Sequence, residues 1–159
     1  MSDECLLNES FFNESGDPAN LTNSQRGQLA EIAFLSKAAG MGLSVAKPWN
    51  ERERYDFIVR VENTCWRVQV KSVVAKARGR GHYRIKTSGG NGLTGFTTYS
   101  ANEIDFLVAY IFPENVWYVF PAAKIAGQKS LCLRPGSKRS VLEEYREAWK
   151  LMKPQSHER

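Results

Sequence analysis

Among 159 residues only three are cysteine and two are histidine. The cysteines, Cys5, Cys65 and Cys132, are scattered and odd in number, so they form neither a disulfide framework nor a CxxC zinc knuckle. His82 and His157 alone exclude a histidine-rich zinc site. No run of eighteen apolar residues occurs, which excludes a membrane-spanning helix. The N-terminus has neither a basic region nor a long apolar one, so no secretory signal is read and the expected compartment is the reducing cytoplasm. No G-x-x-x-x-G-K-S/T phosphate loop exists. Ser88-Gly89-Gly90-Asn91-Gly92 lacks the lysine and reads as a flexible loop. A Ser-His-Asp triad would have to use His82, which sits in a basic loop beside Arg80 and Arg84, and is set aside.

Acidic residues are missing from one long stretch. None occurs from Asn63 to Asn102, while the same forty residues hold seven bases. The first 23 residues are the reverse, with five acids and no base, so the rest of the chain carries 22 bases against 12 acids. One sign of charge on a folded body points to a polyanionic partner, most often nucleic acid. The alternative is a solvated basic face with no partner.

The length suits one domain with a real core. Residues 1–22 read as an acidic arm with Leu6, Leu7, Phe11 and Phe12 as anchors, 23–153 as the domain and 154–159 as a tail. A first helix is expected from Asn23 or Ser24 to about Ala39. Thr22 with Gln25 forms its capping box, Gly40 and Gly42 stop it, and Leu29, Ile32, Ala33, Ser36 and Ala39 form its buried stripe. Strands are expected at 43–46, 55–61, 65–73, 83–86, 104–112 and 116–120, with a short helical turn at 121–125 and an edge strand at 131–133. Trp117, Tyr118 and Phe120 have the spacing of core residues rather than of base-stacking ones. A last helix is expected from Ser140, with Glu143 closing a second capping box and Val141, Tyr145, Ala148, Trp149 and Met152 on its apolar face. The order is that of an α/β fold with a mixed central sheet.

The hairpin carries the sharpest inference. If Glu62 and Asn63 are its two loop residues, Val61 faces Thr64 and Asp56 lies opposite Gln69. Lys71 projects from the same face as Gln69, and Tyr55, Phe57, Val68 and Val70 fill the other. An acid, an amide and a lysine together on a buried face need satisfaction, and a hard divalent cation provides it. A solvated hairpin face, with Asp56 and Lys71 as a surface pair, is the alternative. Glu31 interrupts the apolar run Leu29–Leu35, with Gly27 one turn earlier; it either faces a site or is a plain surface glutamate.

Glu31 on a first helix, Gly40 closing it, Tyr55-Asp56-Phe57-Ile58-Val59 and Val68-Gln69-Val70-Lys71 together resemble the PD-(D/E)XK nuclease superfamily. The chain is similar to the branch with group I intron-associated homing endonucleases and archaeal Holliday-junction resolvases. The stretch from Tyr99 to Phe106, leading into Val116–Pro121, resembles the intron-associated members as well. The resemblance implies an αβββαβ restriction-endonuclease-like core and Mg²⁺-dependent hydrolysis of phosphodiester bonds in double-stranded or branched DNA. It implies Asp56 as the metal-binding aspartate, Lys71 as the catalytic lysine and Glu31 as the first-helix glutamate. Gln69 stands where most members have Asp or Glu, which removes one negative charge; Tyr55 replaces a proline. On this reading Glu31 and the Gln69 oxygen assist Asp56 at the metal, and Lys76, Arg78, Arg80, Arg84 and Lys86 contact phosphates. A homo-oligomer, dimer or tetramer, follows from the need to cut two strands. The remaining alternatives are a catalytically silent DNA-binding module of the same fold and a junction resolvase.

Overall fold

The computed structural model describes residues 17–50, 52–90 and 95–154. Residues 1–16 of the acidic arm, with its four apolar anchors, lie outside the described residues. Helix α1 runs Asn23–Gly40, and Thr22 and Gln25 form the reciprocal capping box, with Gln25 N–H donating to Thr22 Oγ1 at 3.2 Å and Thr22 N–H to Gln25 Oε1 at 3.0 Å. Its stop is at Gly40, and Gly42 takes φ 70°, a left-handed conformation that glycine adopts without strain. The strands are β1 Ser44–Ala46, β2 Phe57–Val61, β3 Thr64–Val73, β4 Tyr83–Lys86, β5 Ser88–Gly90, β6 Phe96–Thr98, β7 Phe106–Ile111, β8 Val116–Pro121 and β9 Ser130–Leu133. A four-residue helix, α2, covers Ala122–Ile125.

Five strands form one mixed sheet in the order β1-β2-β3-β7-β8, parallel only between β3 and β7. The β2–β3 hairpin has the expected register: Val61 faces Thr64 and Phe57 faces Val68. Two small ribbons, β4–β9 and β5–β6, are hydrogen-bonded separately from the sheet. The crossover from β3 to β7 is the place where an αβββαβ order would put a helix. Among the described residues it holds β4, β5 and β6 instead.

The sheet is covered on both faces. Phe57, Val59, Val68, Val70, Val108, Trp117 and Val119 pack under α1, while Leu107, Ala109, Tyr118 and Phe120 pack with Tyr99, Ile104, Ile125 and Leu133 on the other side. Burial on both faces is why β7 and β8 are continuously apolar rather than alternating. Trp117, Tyr118 and Phe120 are therefore core residues, as their spacing implied.

Two expectations are corrected. The buried stripe of α1 is Ala30, Phe34 and Ala38, not the set from Leu29 to Ala39. Leu29 and Leu35 are exposed and Ile32 is 61% exposed. Apolar residues surround this helix, so periodicity alone could not choose the face; Phe34 chooses it by stacking on Phe57 at 5.1 Å and meeting Trp117 edge-on at 6.1 Å. The C-terminal segment is not a helix from Ser140 but two 3₁₀ turns, Val141–Tyr145 and Trp149–Met152. Ser140 makes no side-chain cap, and Glu143 accepts from the Tyr118 hydroxyl and the Gly136 N–H instead. Between the turns Glu147 sits at φ 48°. Its N–H donates to Trp117 O at 2.8 Å, and its carboxylate accepts from Trp117 N–H and Trp149 Nε1 and pairs with Lys37. Bonds to the free edge of β8 thus replace helical ones. The apolar face folds onto the chain's own sheet, burying Ala148 and Met152, while Val141 stays exposed.

Candidate active site

Helix α1 and the end of β3 enclose a cleft of about 520 Å³. Glu31, Asp56, Gln69 and Lys71 all line it, with Arg26, Gly27 and Ser72. Asp56 lies just before β2, and its N–H donates to Val68 O at 2.9 Å although Phe57 is the residue that faces Val68, so the ladder is offset by one residue here. The paired positions of the hairpin end at Phe57 and Val68, and Asp56 meets Gln69 through its side chain rather than as its paired residue. Tyr55 departs from the expected alternation and packs with the second core, because the chain before Asp56 is irregular.

Gln69 is 8% exposed, and its amide is oriented by its neighbours. Its Nε2 donates to Asp56 Oδ2 at 2.6 Å and to Val70 O at 3.1 Å. Two acceptors on one side require the NH₂ group there, which leaves Oε1 on the other side. Val70 N–H also donates to Asp56 Oδ2, at 2.8 Å. The cluster is thus a buried, bonded site rather than a solvated pair. Among the described residues Asp56 and Lys71 make no salt bridge.

Burial raises Asp56 from 3.8 to about 6; the Val70 N–H opposes this, the Glu31 charge adds to it, and Lys71 and Lys47 draw it down. Glu31 is itself held by Lys47, with Nζ 2.6 Å from Oε2. The sequence offered no signal for Lys47, sixteen residues from its partner. Among the described residues no cluster of three His, Cys, Asp or Glu is present to hold a metal. The carboxylates of Glu31 and Asp56 and the Gln69 amide line the same cleft, and oxygen donors of that kind suit a hard divalent ion rather than zinc.

The basic residues do not converge on this cleft. Arg78, Arg80 and Arg84 line a second cleft of about 440 Å³ with His82 and Cys132. Lys76 lies over the Tyr83 ring, and Lys86 is exposed on β4. The loop that carries Lys76, Arg78 and Arg80 leaves β3 after Val73, and its Val74 and Ala75 line the first cleft, so the basic surface begins at the rim of the site. Arg54 was missed as well. It donates to Gly89 O at 2.8 Å and Thr97 O at 3.0 Å, tying β5 and β6 to the segment that carries Asp56.

A family model described as PD-(D/E)XK endonuclease matches residues 21–152. No curated protein matches the chain. Among solved structures it is similar to a bacterial homing endonuclease, I-Ssp6803I, with 30% sequence identity and a TM-score of 0.72; the match covers 82% of this chain and 93% of that one.

Proposed function

Because the chain belongs to the PD-(D/E)XK endonuclease family, we propose that it hydrolyses phosphodiester bonds of DNA at the Asp56 cleft with Mg²⁺, as a homing-type, site-specific enzyme. The observation that carries this is the meeting of Glu31, Asp56, Gln69 and Lys71 in one cleft, where burial raises the Asp56 carboxyl to about 6. A buried carboxylate with no ion-pair partner of its own favours a bound cation. Asp56 and Glu31 would hold the ion, and Gln69 would add its Oε1 as a neutral third donor by turning its amide over, since Nε2 faces Asp56 in the metal-free site. When bound, the ion supplies electrostatic stabilisation of the charge that develops on the phosphate.

The chain's own groups do the rest. Gln69 Nε2 and Val70 N–H fix the orientation of Asp56. Lys71 supplies a positive charge to a phosphate oxygen or to the attacking water. The exposed Arg78, Arg80, Arg84 and Lys86, with Lys76, hold neighbouring phosphates. Residues 23–153 serve as the catalytic unit, and two copies cut the two strands. One observation favours a second reading, a silent DNA-binding module: the amide of Gln69 leaves the site one negative charge short of most members of the family.

The test is cleavage of supercoiled plasmid and of a synthetic four-way junction across a Mg²⁺ titration, with wild type, Gln69→Ala and Lys71→Ala. Mg²⁺-dependent plasmid cutting is expected, with each substitution costing on the order of 10²-fold. Preference for the junction would make the enzyme a resolvase. Binding without cleavage at any Mg²⁺ concentration would establish the silent module.

A further inference from the structure

Lys71 differs from its neighbours in what holds it. Asp56 and Gln69 are hydrogen-bonded, but among the described residues Lys71 Nζ makes no salt bridge. It lies over the ring of Tyr99 instead, 5.3 Å from the centroid. The same ring carries the Arg54 guanidinium at 4.5 Å. Tyr99 is 4% exposed, and its N–H donates to Thr87 O at 3.2 Å. A ring that meets two cations is doing more than filling the core, since its π face attracts each of them.

Arg54 is held in turn by the ribbon. Its Nη1 donates to Gly89 O and Gly90 O at 2.8 and 3.2 Å, and its Nη2 donates to Thr97 O at 3.0 Å. Its Nε lies 3.2 Å from Glu103 Oε1, a contact of charge rather than an aligned hydrogen bond. Gly89 completes the arrangement. A Cβ there would stand 2.4 Å from the Tyr99 hydroxyl oxygen and 3.6 Å from Arg54 Nη1, whereas a Cβ at Gly90 would meet nothing within 4 Å. The first glycine of the Gly-rich stretch is thus required by the approach of the tyrosine.

We propose that Tyr99 is a positioning residue for Lys71, and that Arg54 and Gly89 fix the Tyr99 ring, so that the β5–β6 ribbon sets where the lysine reaches into the cleft. A lysine on a flexible four-carbon stem populates many rotamers, and the ring narrows them towards the phosphate. The proposal rests on the catalytic reading of Lys71 given above.

The experiment compares single-turnover cleavage with Mg²⁺, DNA affinity without divalent ions and the thermal midpoint. The variants are Tyr99→Phe, Tyr99→Leu, Gly89→Ala and Gly90→Ala, with Lys71→Ala alongside. Misplacing a reacting group by about 1 Å costs up to about 100-fold. Tyr99→Leu and Gly89→Ala are therefore expected to lose about 10- to 100-fold in rate with DNA affinity unchanged. Tyr99→Phe keeps the ring face and should stay near wild type, as should Gly90→Ala. If Tyr99→Leu does not fold, Gly89→Ala carries the comparison, because it keeps the ring and displaces it. Wild-type rates in both, or rate losses matched by equal losses of affinity, overturn the proposal. An inactive Lys71→Ala beside a fully active Tyr99→Leu overturns the proposal alone. A fully active Lys71→Ala overturns the catalytic reading and the proposal with it.

Discussion

Asp56→Asn should make the metal-free protein more stable while abolishing cleavage. The asparagine keeps an oxygen for Gln69 Nε2 and Val70 N–H, which both donate to Asp56 Oδ2, and it removes the charge. Folding raises Asp56 from 3.8 to about 6. Between those values the folded chain binds more protons than the unfolded one, so stability falls as pH rises through the interval and stays low above it. Roughly two pKa units at about 1.36 kcal/mol each put the cost near 3 kcal/mol, to order of magnitude. Asp56→Asn relieves that cost because its amide resembles the protonated acid. In a chelating buffer at pH 8 the variant should gain about 2–3 kcal/mol, or roughly 5–10 °C in thermal midpoint. The gain should shrink as pH falls and vanish near pH 4, where wild-type Asp56 is protonated when folded. Mg²⁺ should narrow the gap at pH 8, since only the wild type gains from binding the ion. Urea or thermal unfolding followed by circular dichroism at pH 4, 6 and 8 measures all of this. An asparagine variant no more stable than wild type at pH 8, or a gain that does not change with pH, would refute the account of Asp56 as a buried carboxylate with no ion-pair partner of its own.

Arg78→Ala with Arg80→Ala should weaken DNA binding and flatten the salt dependence by roughly one unit per lost phosphate contact; an unchanged slope in filter-binding or anisotropy titrations would place the footprint elsewhere. Asp105 accepts Arg67 N–H at 2.7 Å and Nε at 3.1 Å; burial pushes its carboxyl up, but the bonds and charge of Arg67 outweigh this and hold it below the usual range. Asp105→Asn should therefore destabilise at neutral pH by about 1–3 kcal/mol, with the difference fading as pH drops through the folded-state value, measured by denaturant midpoints. Glu147→Ala removes the acceptor of Trp117 N–H and Trp149 Nε1 and the partner of Lys37; it should cost about 1–3 kcal/mol and expose the C-terminal strap to protease before the sheet unfolds. Light scattering, free and on DNA, should show a dimer or larger; a monomer in both states would remove the assembly claim.

The local features were legible wherever one physical rule acts alone. Thr22 and Gln25 announce the start of α1 because a cap is satisfied by residues three apart. The two-residue loop at Glu62 and Asn63 sets the register as far as Phe57 and Val68, which leaves Asp56 and Gln69 close enough for their side chains to bond. The same family pattern placed Glu31 and Lys71 among the site residues, and the fold brings all four to one cleft. What the sequence could not decide depends on choices between equivalent local options. Apolar residues encircle α1, and only the aromatic cluster of Phe57, Trp117 and Trp149 selects Phe34 over Ile32. Residues 140–152 have a helical pattern and a capping box, yet the unpaired edge of β8 offers Glu147 and Glu143 better partners than a helix would. The pairing of Lys47 with Glu31, and the meeting of Arg54, Gly89 and Lys71 around Tyr99, join segments far apart in the chain. Hydrogen bonds and ring contacts of that kind exist only once the sheet and its ribbon have brought their ends within a few ångströms.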